Sequence, residues 1–221
     1  MEEPRTLLCF GDSNTWGFEP ATMTRYPRHV RWPGVAAAAL GEAWHVVEAG
    51  LNGRTTAFED PLGDKCGVRH LGPVLESAAP VDVVVIALGT NDLKTRLSAS
   101  PFEIAEGAGL LVESVLTSDA GPAGSAPAVL LVAPPPIGEL GGWAERDEFA
   151  YEGFEEAWHE ARQRSLGFAR QYARVARVHG VALLDAALHV LSSDVDGIHW
   201  SSEGHASFGR AVADAVESLV R

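Results

Sequence analysis

The stretch Thr6-Leu7-Leu8-Cys9-Phe10-Gly11-Asp12-Ser13-Asn14-Thr15-Trp16-Gly17 decides the fold. A short apolar run with β-forming residues ends abruptly at a glycine, and a small polar residue follows. That pattern predicts a buried strand delivering Ser13 at its C-terminal tip. In open α/β sheets ligands gather beyond the carboxyl ends of the strands, which is where this serine falls. A serine hydroxyl is a poor nucleophile at neutral pH. It needs a base within hydrogen-bond reach and donors for the oxyanion that its attack creates.

Outward from this stretch, strand-like and helix-like runs alternate. Val35–Leu40 reads as helical and stops at Gly41, and Trp44–Glu48 as a second strand running into the turn Gly50-Leu51-Asn52-Gly53-Arg54-Thr55-Thr56. A helix is expected from about Gly67 to Ala79. Val81–Leu88, nearly continuous in β-branched residues, reads as a central parallel strand buried on both faces. It breaks off at Gly89-Thr90-Asn91-Asp92. Ser100-Pro101-Phe102-Glu103 combines a capping serine, proline at the first helical position and glutamate at the third, a strong start for a helix reaching about Thr117. Ala128–Ala133 is a fourth strand, and Ile137–Gly153 is irregular. Phe154–His179 shows helical periodicity throughout and predicts one long helix closed by Gly180. Val181–Asp185 is the fifth strand, and a last helix runs from about Ser202 to Val220. Five strands alternating with helices predict a doubly wound parallel sheet in a single domain spanning residues 1–221.

Composition narrows the function. The 221 residues carry a formal charge of −13, which disfavours nucleic acid or an anionic membrane as partner. No apolar run approaches the ~18 residues of a membrane-spanning helix, and Met1–Arg5 lacks the basic-then-apolar layout of a signal peptide. The two cysteines, Cys9 and Cys66, offer neither a disulfide framework nor a metal knuckle. The histidines form no metal-ligand spacing. A cytoplasmic protein with reduced thiols, no membrane association and no metal or other cofactor is the expectation.

If the sheet is parallel, the ends of the first three strands open on one edge: Gly11-Asp12-Ser13, Asn52-Gly53 and Gly89-Thr90-Asn91-Asp92. The Ser13 and Gly53 N–H groups and the Asn91 amide can then surround one oxygen. The base is sought near the end of the chain, in Asp194-Val195-Asp196-Gly197-Ile198-His199-Trp200. Asp196 can fold onto Nδ1 of His199 and leave Nε2 free for Ser13. Asp194 competes with Asp196, and His205 with His199; Asp196 is preferred for its spacing. His205 has no aspartate three residues before it, and is read as helix surface or as a residue behind the site. Asp12, Asn14, Trp16 and Trp32 are candidate pocket residues, with Asp12 also suited to bonding loop N–H groups. Two tryptophans at the pocket would narrow it toward short acyl groups.

Gly11-Asp12-Ser13, Gly53, Gly89-Thr90-Asn91-Asp92 and Asp196-Gly197-Ile198-His199, in this order, resemble the four blocks of the SGNH (GDSL-type) hydrolases. Further segments resemble the bacterial arylesterase/acyltransferase branch: Leu8–Ser13, Thr15-Trp16-Gly17, Arg31-Trp32, Glu48–Leu51, Arg54-Thr55-Thr56, Asp60-Pro61, Leu88–Asp92 and Val132–Pro136. The resemblance implies a three-layer α/β/α flavodoxin-like fold with a five-stranded parallel sheet, and metal-free hydrolysis of esters or thioesters. It implies Ser13 as nucleophile, Asp196 and His199 as its triad partners, and Ser13, Gly53 and Asn91 as the oxyanion hole. It favours a homo-oligomer acting on a small-molecule ester. Asn14 stands where the family nickname has leucine, and Ile137–Gly153 matches the branch poorly. The expectation is a serine esterase for short aryl or alkyl esters, with acyl transfer to alcohols as a side activity. The alternatives are a carbohydrate O-deacetylase and, from another class, a non-catalytic flavodoxin-like binding module.

Overall fold

The computed structural model describes residues 3–140 and 154–220. Along the chain come β1 (Arg5–Gly11), α1 (Ser13–Trp16), β2 (Phe18–Glu19), β3 (Thr24–Arg25), α2 (Trp32–Leu40), β4 (Trp44–Gly50), α3 (Gly67–Ala78), β5 (Val83–Ala87) and α4 (Pro101–Leu116). β6 (Ala128–Ala133), α5 (Phe154–Ala157), α6 (Ala161–Ser165), α7 (Phe168–His179), β7 (Ala182–Asp185) and α8 (Ser202–Leu219) complete it. Five strands form a parallel sheet in the order β4-β1-β5-β6-β7. β2 and β3 make a separate small hairpin that the sequence patterns did not announce.

The period-2 alternation of a strand divides the core in two. Leu7 and Cys9 of β1, with Val83 and Val85 of β5, pack against Trp32 and Ala36 of α2 and Phe208, Val212 and Val216 of α8. Leu8 and Phe10, with Val84 and Ile86, face Leu71 and Leu75 of α3, Ile104 and Leu111 of α4, and Phe168 and Tyr172 of α7. The result is the expected three-layer α/β/α arrangement. β1 and β5 lie mid-sheet with both faces covered, which is why they are apolar almost throughout. Among the described residues, no helix is long and apolar enough to cross a membrane.

The expected continuous helix over Phe154–His179 is instead three pieces. Glu160 adopts a left-handed backbone (φ +59°), and α7 starts only after Gly167, whose Cα packs so closely on Pro101 that a Cβ there would meet the ring at 2.9 Å. The break serves packing. The Arg164 guanidinium, on the middle piece, donates to the carbonyls of Ala99 and Leu93 and so fastens the segment after β5. The helical periodicity persists across the breaks because all three pieces keep one face on the same core: Phe154, Trp158, Ala161, Phe168 and Tyr172. Of the irregular Ile137–Gly153 segment, residues 141–153 lie outside the described residues.

Candidate active site

β1 ends at Gly11, and Asp12 caps the single turn of α1 by accepting from the Asn14 N–H at 3.0 Å. This places Ser13 as the first helical residue, at the carboxyl edge of the sheet. The partner arrives from far along the chain. Nε2 of His199 lies 2.9 Å from Ser13 Oγ, and Nδ1 of His199 lies 2.5 Å from Asp196 Oδ2. Asp196 is fully buried; its other oxygen accepts the N–H groups of Ile198 and His199, each at 2.9 Å, and the Ser193 hydroxyl at 3.3 Å. Burial alone would raise its pKa, but the hydrogen bond and charge of His199 with the two backbone donors outweigh burial and hold the carboxyl below its ordinary range.

The turn between Asp196 and His199 depends on Gly197. Its φ is +74°, and a Cβ there would fall 2.4 Å from the Glu139 carbonyl oxygen, so the triad loop rests directly on the backbone after β6. The Gly138 N–H donates to the Gly197 carbonyl at 2.7 Å and fixes that contact. Asp194 is exposed and belongs to no part of this arrangement.

Around Ser13 stand the other strand ends. Asn91, on the short 3₁₀ turn after β5, is buried, and its Nδ2 reaches the Arg54 carbonyl at 3.2 Å and Asp12 Oδ2 at 3.5 Å. Asp92 beside it turns away and accepts from the Thr56 N–H (2.9 Å) and hydroxyl (2.5 Å), which ties the turn after β5 to the loop after β4. Gly89 makes this turn possible. Its φ is +133°, and a Cβ there would lie 2.2 Å from the Tyr172 hydroxyl, itself donating to the Leu88 carbonyl at 2.7 Å. Arg54 lies buried behind the site, donating to the Gly11 and Ala49 carbonyls and stacked 4.0 Å over the Phe10 ring.

Two buried acids sit here in unusual states. Burial pushes the Asp12 carboxyl up to about 6, against the opposing pull of the Asn14 N–H and the charges of His199, Arg54 and Lys94. Burial pushes Asp92 up to about 7, with the Asp12 charge adding to it and the Thr56 donors opposing.

Of the four candidate pocket residues, Trp16 is partly exposed beside Ser13, with the Arg25 guanidinium 4.9 Å over its ring. Trp32 is not a pocket wall. It is fully buried, edge-on to Phe208 at 5.4 Å, because the first turn of α2 faces the sheet. Asn14 turns inward rather than toward the opening above Ser13: its Nδ2 donates to the Ile198 carbonyl at 3.4 Å. Asp12 is likewise buried, engaged with the Asn14 and Asn91 nitrogens. His205 is not on the helix surface. It is fully buried between Tyr26 and Trp200, and its Nδ1 accepts from the Trp32 N–H at 3.3 Å.

One site residue had no sequence signal. Phe18, on β2, sets its ring 4.4 Å from that of His199, with Trp16 6.5 Å beyond. Glu48 is also clearer in three dimensions: it gathers Arg25, Arg28 and Arg31 and so fastens the hairpin region to β4. Among the described residues, no cluster of histidine, cysteine or acidic side chains could hold a metal ion.

Known proteins resemble this chain along nearly its whole length. The GDSL-like Lipase/Acylhydrolase family matches residues 9–207. The aryl esterase of M. smegmatis is 36% identical, with a TM-score of 0.89 over 98% of this chain and 100% of that one. A carbohydrate acetylesterase from Sinorhizobium meliloti is 38% identical, with a TM-score of 0.89 over 97% of this chain and 99% of that one. No curated protein matches the chain.

Proposed function

The chain belongs to the GDSL-like lipase/acylhydrolase family, and from that premise we propose a serine esterase for short-chain esters that works through an acyl-enzyme. The observation that carries the proposal is the unbroken line Asp196–His199–Ser13. His199 Nε2 takes the Ser13 proton as Oγ attacks the ester carbonyl. The buried Asp196 carboxylate keeps the other ring proton on Nδ1 and stabilises the imidazolium that forms. The oxyanion is received by the N–H groups of Ser13 and Gly53 and by Asn91 Nδ2, which would exchange its 3.5 Å bond to Asp12 Oδ2 for the oxyanion. His199 then protonates the leaving alcohol, and water or a second alcohol releases the acyl group.

The short-acyl reading now rests on Phe18 and Trp16 rather than on Trp32. The Phe18 ring lies 4.4 Å from that of His199, with Trp16 6.5 Å from Phe18, and these two aromatics are the walls that would favour a short acyl chain. Aromatic walls of this kind would also favour transfer to added alcohols over hydrolysis by water. A second reading, a carbohydrate O-deacetylase, is favoured by the likeness to the S. meliloti carbohydrate acetylesterase, as strong as that to the M. smegmatis aryl esterase.

The test is hydrolysis of p-nitrophenyl acetate, butyrate and octanoate beside acetylated xylan, with and without methanol. The proposal expects kcat/KM to fall with chain length, aryl acetate to exceed acetylated xylan, and methanol to divert product to methyl ester. Preference for octanoate would refute the aromatic restriction, and preference for xylan would favour the deacetylase.

A further inference from the structure

We infer that Asn14 is a positioning residue that sets the reach of His199 toward Ser13, a role separate from the pocket position its place in the sequence suggested. The inference rests on the assignment of His199 as the base.

The peptide unit joining Ile198 to His199 is held on both edges. Its N–H, from His199, donates to Asp196 Oδ1 at 2.9 Å; its carbonyl, from Ile198, accepts from Asn14 Nδ2 at 3.4 Å. One clamp belongs to the loop that carries the base. The other belongs to the residue directly after the nucleophile. A change at either edge tilts the peptide plane and swings the imidazole relative to Ser13 Oγ, now 2.9 Å from it. The acceptor fixes which end of the amide points there: only the NH₂ can face a carbonyl. Asn14 Oδ1 is thereby turned away, buried and without a protein partner among the described residues, as are Thr15 Oγ1 and Trp200 Nε1. All three residues line one small cavity of about 10 Å³, the room a single water needs. An apolar side chain in place of Asn14 has no donor for the Ile198 carbonyl.

The test compares wild type with Asn14→Leu, which keeps the branching but removes the donor, and Asn14→Asp, close in size, which sets an acceptor against the Ile198 carbonyl. Circular dichroism checks the fold, and Ser13→Ala is run in parallel. The expected result is a tenfold or greater fall in kcat on p-nitrophenyl acetate in both variants, with KM within twofold of wild type. The downfield proton resonance of the His199–Asp196 hydrogen bond should shift or broaden in both. Wild-type kcat in Asn14→Leu overturns the inference, as does a rise in KM with kcat kept. Failure of both variants to fold also overturns it, since Asn14 would then be a packing residue. If Ser13→Ala itself keeps activity, the error lies in the assignment of nucleophile and base rather than in Asn14.

Discussion

Ser13 comes from one end of the chain and His199 and Asp196 from the other, and backbone bonds hold both sides in place. Asp12 caps the turn beneath Ser13, and two backbone N–H groups orient Asp196. On the proposed mechanism, in which Asp196 fixes the imidazole tautomer, Asp196→Asn should cost roughly 10³–10⁴-fold in kcat while leaving the protein folded. Circular dichroism with steady-state kinetics checks this, and a loss under tenfold would make Asp196 incidental. Asn91→Ala should lower kcat roughly 10²–10³-fold with a smaller effect on KM, as expected for a donor that acts mainly on the oxyanion. Equal loss in both parameters would point instead to ground-state binding. These residues were legible in the sequence because strand ends and a three-residue Asp–His spacing place them with little dependence on packing. Trp32 was misread, and His205 was left open between helix surface and a place behind the site, because their positions depend on which face α2 and α8 turn to the sheet. Phe18 was missed because two-residue strands carry no periodicity.

At the scale of elements, every sheet strand was legible, since each is an apolar run closed by a turn residue or a proline. The capping box of α4 was equally plain: the Ser100 and Glu103 side chains each bond the other's backbone N–H. The breaks near Glu160 and Gly167 were not, because Phe154–His179 keeps its apolar repeat through them while the reasons for breaking lie in Pro101, Leu93 and Ala99. The turn after β5 yields a sharper prediction. Gly89→Ala must accept both a positive φ and a collision with the Tyr172 hydroxyl, and should destabilise by about 2–4 kcal/mol. Gly41→Ala, with positive φ but open space around it, should cost about 1 kcal/mol. Urea denaturation of the two variants separates strain from collision, and equal losses would show that the Tyr172 contact yields freely.

For the whole molecule, a net charge of −13 coexists with carboxyls buried at the site, whose burial gives a pH dependence of stability. Asp92 has a folded pKa raised from 3.8 to about 7, so between those values the folded state binds more protons than the unfolded chain. Its contribution is most favourable below pH 3.8, declines as pH rises toward 7 and is constant above. Asp12 acts in the same direction up to about 6, whereas His205, pushed down to about 3 by burial, acts oppositely up to its ordinary value. Comparing wild type with Asp92→Asn isolates the first of these. The melting temperature of the variant relative to wild type should climb from pH 4.5 to about 7 and then level off. A gap independent of pH would mean that Asp92 is ionised in the fold throughout.

The central claim is that Ser13, driven by His199 and Asp196, carries the acyl group. Its most direct test is the rate of p-nitrophenyl acetate hydrolysis by folded Ser13→Ala against wild type. The expected fall is at least about 1,000-fold, the remainder being what binding and oxyanion donors supply alone. A variant that keeps more than about a tenth of the wild-type rate would contradict the mechanism and place the nucleophile elsewhere.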